Sequence, residues 1–270
     1  MHKEVVDSLK LYGYSISHID KLFNKHQMNM FNEIDNFIQR VLKMKHVKDL
    51  VTLINQCQTE QHISYLKKMH GHNKYYYLTQ FNILNRGLQL SDIPLVELYT
   101  QDLFLDISQD FLGCETKIFD THIMIHPFIK NPPRKSQLWH RDTEDRHTLK
   151  CFIYLSDVTE NNGPFKFRPN TSLLPKVPGL SVREASFTDY VSCTGPKGTI
   201  IFFDGTNIHS GGYVQNDMRL SMQALYLKPN AGHITKGLYN SFNWNKKFND
   251  INFNSNEFTD LTSRAQNSLS

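Results

Sequence analysis

Residues 198–212 read GTIIFFDGTNIHSGG. Between Gly198 and the Asp204-Gly205 turn the chain is all β-branched or aromatic, the signature of a short, well-buried strand bounded by turn chemistry. Four other segments share this texture: KIFDTHIMIHPFI from Lys117, TLKCFIYLSDV from Thr148, PFKFRP from Pro164 and RLSMQALYL from Arg219. Turn residues separate them, as NPP at 131–133, NNGP at 161–164, TGPKG at 194–198, DGTN at 204–207 and GG at 211–212. Several short strands at this spacing predict a β-sandwich or barrel.

Upstream the pattern is helical. Val5, Val6, Leu9 and Tyr12 recur at helical spacing, and Gly13 permits a stop. YSISHI then alternates like a short strand. Apolar residues recur every three or four positions from about 19 to 70, including Leu22, Phe23, Met30, Phe31, Ile34, Phe37 and Ile38. LVELYTQDLFLDISQDFL, residues 95–112, reads as one amphipathic helix ended by Gly113. The expected class is α+β, with N-terminal helices packed on one sheet of an antiparallel β core. One domain is expected over residues 1–235, helical in 1–113 and β in 114–235. An Asn-rich polar extension, 236–270, follows it.

Composition narrows the function. The 270 residues are 39% hydrophobic and 12% aromatic, enough for a sizeable core. A net charge of +4, with Lys and Arg scattered, does not give the basic stripe of a nucleic-acid binder. Cys57, Cys114, Cys151 and Cys193 form no C-x-x-C pair, so neither a zinc knuckle nor a disulfide framework is expected. With no signal-like apolar run at the start and no stretch long enough to span a membrane, a cytoplasmic protein is expected. Sequence says nothing of oligomeric state.

The chemistry concentrates in LWHRDTEDRHTLK, residues 138–150. In extended backbone, residues i and i+2 share a face, so His140 and Asp142 project together. One imidazole and one carboxylate make two thirds of a facial triad. His209, at the turn after the strand of 198–205, is the candidate third ligand, and the glycines beside it allow close approach. A 2-His-1-carboxylate set leaves open positions on the metal, as non-haem Fe(II) oxygenases require. A dianionic chelating cosubstrate would need a cation for its far end. Arg219 opens the next strand and offers a planar fork to a carboxylate, with the Ser221 hydroxyl on the same strand face.

WHRD, NNGPF, GTIIFFDGTNIHSGG and RLS, in that order, resemble the phytanoyl-CoA dioxygenase family of Fe(II)/2-oxoglutarate oxygenases over roughly residues 1–230. The resemblance implies a double-stranded β-helix (a cupin-like jelly roll) with Fe(II) held by His140, Asp142 and His209. It implies 2-oxoglutarate anchored by Arg219 with Ser221 assisting, O2 as co-reactant, and succinate and CO2 as co-products. Hydroxylation of a small-molecule metabolite is the expected activity. The presence of Asp142 argues against halogenation, which needs that position vacated. The chain departs from the family in RPNTS, where members often carry P-G-S-H, and TSLLPKVPGLSVREASFTDYVS is its own. Two other readings remain: a jelly roll that binds without catalysis, and a cupin-type metal-dependent isomerase or hydrolase. Neither needs Arg219 and Ser221.

Lys150, Phe152 and Tyr154 share one face of the following strand. If it faces the barrel interior, Lys150 and Phe152 line the 2-oxoglutarate pocket, and Cys151, Ile153 and Leu155 pack under the helices. Asp145 and His147 offer a competing ligand pair, but Glu144, Asp145 and His147 are expected at a loop or pocket rim. His122 and His126 share a strand face, with a core role expected and a pocket-lining role for one of them as the alternative. Trp139 is expected to pack rather than bind. For Arg134 and Lys135 a solvated loop and an anionic substrate fit equally well.

Overall fold

The computed structural model describes residues 2–43, 48, 81–82, 94–128, 135–142, 147–172 and 186–229. Helix α1 (His2–Tyr12) has Glu4 in its first turn and Lys10 in its last, both favourable to the helix dipole. Gly13 ends it at φ 81°, donating its N–H to Leu9 O at 2.8 Å. No side chain would fit there, since a Cβ would lie 2.7 Å from Asn207 Nδ2. Strand β1 (Tyr14–His18), α2 (Ile19–Leu22) and α3 (Lys25–Lys43) follow. On α3, Met30, Phe31, Ile34, Phe37, Ile38 and Val41 form one buried stripe.

The helix expected over 95–112 is two helices, α4 (Leu95–Tyr99) and α5 (Asp102–Leu112). Gln101 between them is extended. Its amide and the Thr100 hydroxyl both donate to Glu97 O, at 3.1 and 3.0 Å, drawing that carbonyl out of a continuous ladder. Gly113 ends α5 in the left-handed conformation, as expected.

The strands are β2 (Phe81–Asn82), β3 (Lys117–Pro127), β4 (Leu149–Tyr154), β5 (Phe165–Phe167), β6 (Val191–Cys193), β7 (Thr199–Asp204), β8 (His209–Ser210) and β9 (Met218–Leu227). They form a larger sheet in the order β1-β7-β4-β9-β3-β2 and a smaller one, β6-β5-β8, with antiparallel pairing throughout. The N-terminal part thus contributes β1 and β2 to the larger sheet as well as helices. The fold is α+β, with two facing antiparallel sheets, the arrangement expected of a jelly roll.

Strand parity assigns the faces. Cys151, Ile153, Ile200, Phe202, Leu220, Met222 and Ala224 join the helices in the main core. Phe104 of α5 lies 6.1 Å, ring to ring, from Phe202. Tyr154, Ile201 and Phe203 instead point inward, against Phe165 and Phe167 of the smaller sheet. Every residue of β7 is buried because helices cover one face and the smaller sheet the other, which accounts for its unbroken apolar run. The tail beyond 229 and most of the loop after β5 lie outside the described residues.

Candidate metal centre

The inner face of the larger sheet and the β7–β8 turn bring together side chains that are far apart in sequence. His140 does not belong to a long strand. It makes a single antiparallel bridge with His209, exchanging both backbone bonds at 2.9 Å. Asp142 N–H donates to Gly205 O at 2.9 Å. The H-x-D segment therefore lies against the turn carrying the second histidine. One donor atom from each of His140, Asp142 and His209 falls within 4.8 Å of the others, close enough for one ion to reach all three.

Hydrogen bonds orient both imidazoles. His140 Nδ1 bonds Leu138 O and His209 Nδ1 bonds Asn207 O, each at 2.8 Å. A carbonyl can only accept, so Nδ1 carries a proton in each ring, and a neutral ring so bonded has its lone pair on Nε2. Both Nε2 atoms face Asp142, His140 at 3.7 Å from Oδ1 and His209 at 3.4 Å from Oδ2. Burial, opposed by Asp142, pushes His209 down to about 4, so it is neutral at pH 7. Burial would raise the Asp142 carboxyl, but the Lys150 ammonium, then His209 and His140, hold it well below the usual range. Lys150 Nζ lies 2.6 Å from Asp142 Oδ2, a cation already set against this carboxylate. Two imidazoles and a carboxylate are the donor set of a non-haem iron site, so these residues fit the metal.

Gly205 makes the carboxylate's room. A Cβ there would stand 2.5 Å from Asp142 Oδ2 and 2.7 Å from Thr148 Oγ1. Phe203 and Phe165 wall His209, with ring centroids at 5.3 and 5.6 Å. Phe152 packs edge-on against both, at 5.0 and 5.3 Å. Lys150, Phe152 and Tyr154 thus share the inner face, and Cys151, Ile153 and Leu155 the helix face, as parity suggested.

Arg219 and Ser221 lie on β9 with the same inward parity, Ser221 opposite Tyr154. Both are buried, and Arg219 Nη1 has no hydrogen-bond partner among the described residues. Burial draws the guanidinium's pKa down, opposed by Tyr154, yet a guanidinium keeps its charge at pH 7. A buried, partnerless guanidinium N–H is costly unless an anion meets it. His126, directly across from Arg219 on β3, is buried, and both its burial and Arg219 push it well below its ordinary value.

Of the other candidates, Trp139 packs on Phe187 and Tyr190 at 5.3 and 5.4 Å, as expected. His147 is half exposed, with Nδ1 3.3 Å from Asp204 Oδ2. Glu144, Asp145, Arg134 and the side chains of His122 and Lys135 lie outside the described residues. Sequence reasoning missed Phe165, Phe203, Asp204 and Gly205 as site residues. Their signals, the aromatic strand PFKF and the DGTN turn, were visible but read as strand, turn and family motif, with no site role given to these four residues.

The family profile described as phytanoyl-CoA dioxygenase (PhyH) matches residues 32–219. No curated protein matches the chain. Solved structures with a similar fold include AviO1 from Streptomyces viridochromogenes Tue57, 14% identical over 86% of this chain and 97% of that one, with a TM-score of 0.53. SnoN, the non-haem α-ketoglutarate-dependent epimerase from nogalamycin biosynthesis, is 16% identical over 84% and 83%, with a TM-score of 0.52. EctD from S. alaskensis, solved with 2-oxoglutarate and 5-hydroxyectoine, is 15% identical over 84% and 76%, with a TM-score of 0.51. At these identities the likeness is one of fold.

Proposed function

The chain belongs to the phytanoyl-CoA dioxygenase family of non-haem iron and 2-oxoglutarate-dependent enzymes, and from that premise we propose that it hydroxylates a small-molecule metabolite, with succinate and CO2 as co-products. The observation that carries this reading is a pair of features on one inner surface. The Asp142 carboxylate is flanked by the Nε2 atoms of His140 and His209, and on the inward face of β9 the buried Arg219 guanidinium has an N–H without a partner among the described residues. A binding-only jelly roll or a metal-dependent isomerase needs the first feature at most.

His140, Asp142 and His209 would hold the iron. When bound, Fe(II) supplies the open coordination positions at which 2-oxoglutarate and O2 react. The Leu138 and Asn207 carbonyls, bonded to Nδ1, turn Nε2 of each histidine toward Asp142. Asp142 brings one negative charge and needs no proton removed. Arg219 receives the distal carboxylate of 2-oxoglutarate through its planar fork, with the Ser221 hydroxyl beside it. Lys150 and Phe152, on the same strand face, border the cosubstrate. Phe152, Phe165 and Phe203 keep bulk water from the metal side of His209, which strengthens every charge interaction there.

Anaerobic addition of Fe(II) and then 2-oxoglutarate tests the reading. The expected result is the visible iron-to-ketoacid charge-transfer band in the wild type and its loss in His140→Ala and Asp142→Ala. Metal binding without the band would support the isomerase reading instead. SnoN shows that this fold also carries epimerisation, so the product is scored with isotopically labelled O2. Label in the product marks hydroxylation, and inversion without label marks epimerisation.

A further inference from the structure

The β7–β8 turn holds a buried carboxylate that the mechanism above does not use. Asp204 is 3% exposed. Its Oδ1 accepts from Thr148 N–H at 3.3 Å, Thr206 N–H at 3.0 Å and the Thr206 hydroxyl at 2.8 Å. Its Oδ2 faces His147 Nδ1 at 3.3 Å. The Asp204 carbonyl accepts from Asn207 N–H at 3.1 Å and from the Asn207 side-chain amide at 3.3 Å. One residue therefore ties down both ends of the turn and the start of β4.

That turn carries the two carbonyls that aim the ligand residues. Gly205 O receives Asp142 N–H at 2.9 Å, and Asn207 O receives His209 Nδ1 at 2.8 Å. Gly205 is itself pinned by its N–H to Thr148 Oγ1 at 3.2 Å. The Asn207 side chain is held from the far side, its Oδ1 accepting from Ser172 N–H at 2.8 Å. Asp142 N–H thus meets the Gly205–Thr206 peptide, which the Asp204 carboxylate holds through Thr206 N–H. His209 meets the Asn207 carbonyl three residues on, in a peptide whose Ile208 N–H donates to Thr171 Oγ1 at 2.7 Å while Asn207 N–H donates to the Asp204 main-chain carbonyl. If the Asp204 network loosens, the turn shifts and the Asn207 carbonyl presents itself less well to His209 Nδ1.

We propose that Asp204 is a positioning residue of the metal centre: its carboxylate fixes the turn that presents the Gly205 carbonyl to Asp142 and the Asn207 carbonyl to His209. The assignment rests on His140, Asp142 and His209 being the metal ligands. Outer-shell partners of this kind change metal affinity by about 10–100-fold, whereas a residue with only a structural role lowers stability and leaves the affinity of the folded fraction alone.

Co(II) titration, followed by its visible ligand-field bands, is the test. The wild type is expected to bind and His140→Ala to lose binding. If the wild type binds no Co(II), or His140→Ala binds it equally well, the metal assignment fails, and this inference with it. Given wild-type binding, Asp204→Ala is expected to weaken Co(II) by about 10–100-fold and to alter the bands at saturation. Asp204→Asn, which keeps Oδ1, should recover most of the affinity. Unchanged affinity and bands in folded Asp204→Ala would overturn the proposal. Should Asp204→Ala not fold, Thr206→Val decides. Loss of this one hydroxyl is expected to weaken Co(II) several-fold, and wild-type affinity there would refute the role of Asp204.

Discussion

At the scale of single residues, two buried cationic or ionisable groups define the deep end of the site. Arg219 Nη1 is buried without a partner among the described residues, so on the proposed function the 2-oxoglutarate carboxylate that meets it should contribute a large share of cosubstrate affinity. Arg219→Gln removes the charge and the fork. We expect the 2-oxoglutarate KM to rise at least tenfold, roughly the 1.4 kcal/mol or more of a charged hydrogen bond. Metal binding should be nearly unchanged, and steady-state succinate release against direct metal titration separates the two. His126 makes a pH prediction. Its folded pKa lies well below the ordinary value, from burial first and Arg219 second. Below about pH 6.5 the unfolded chain therefore binds a proton that the folded chain refuses. Its contribution to stability is intact above that pH and is lost as pH falls below it, by up to about 1.4 kcal/mol per unit for one group. In denaturant unfolding from pH 7 to 5, His126→Gln should show a correspondingly shallower loss than the wild type.

At the scale of elements, the turn after β7 matters more than any strand. DGTN reads as ordinary turn chemistry, yet Gly205 sits where a Cβ would strike Asp142 Oδ2 at 2.5 Å. Gly205→Ala should therefore abolish or severely weaken Fe(II) binding, and the effect should exceed the about 0.5 kcal/mol within which surface substitutions usually fall. Metal titration together with far-UV circular dichroism checks this, because lost affinity in a folded protein is the expected pair of results. The strands themselves were well marked in sequence. The register of β4 bore out the alternation of Lys150, Phe152 and Tyr154 against Cys151, Ile153 and Leu155, because side chains of period two must divide between two covered faces. The helix read over 95–112 failed at Thr100 and Gln101. Their side chains compete for a backbone carbonyl, a local contest that apolar periodicity does not record.

At the scale of the whole molecule, the candidate ligands come from segments that meet only through long-range pairing. His140 bridges to β8, β8 pairs with β5, and Asp142 is tied both to the β7 turn and to Lys150 of β4. An ion there would join the smaller sheet to the larger. Metal binding should thus stabilise the entire fold, by about 2.7 kcal/mol at one hundred times Kd. Chelation should lower the Tm and Fe(II) or Co(II) should restore it. The His140→Ala variant should show no such response.

Sequence by itself determined the strand segments, their turns, the helical N-terminal layer and the order of His140, Asp142, His209 and Arg219. It could do so because these depend on local periodicity, turn residues and donor types at short spacing. Only the tertiary structure decided the surroundings of those residues. It showed β1 and β2 completing the larger sheet, Phe165 and Phe203 walling His209, Lys150 drawn onto Asp142, and Asp204 beneath the turn. The reason is physical: a carboxylate's partners, a ring's neighbours and a missing Cβ are properties of chain segments meeting in space, and no pattern along the chain encodes them one residue at a time.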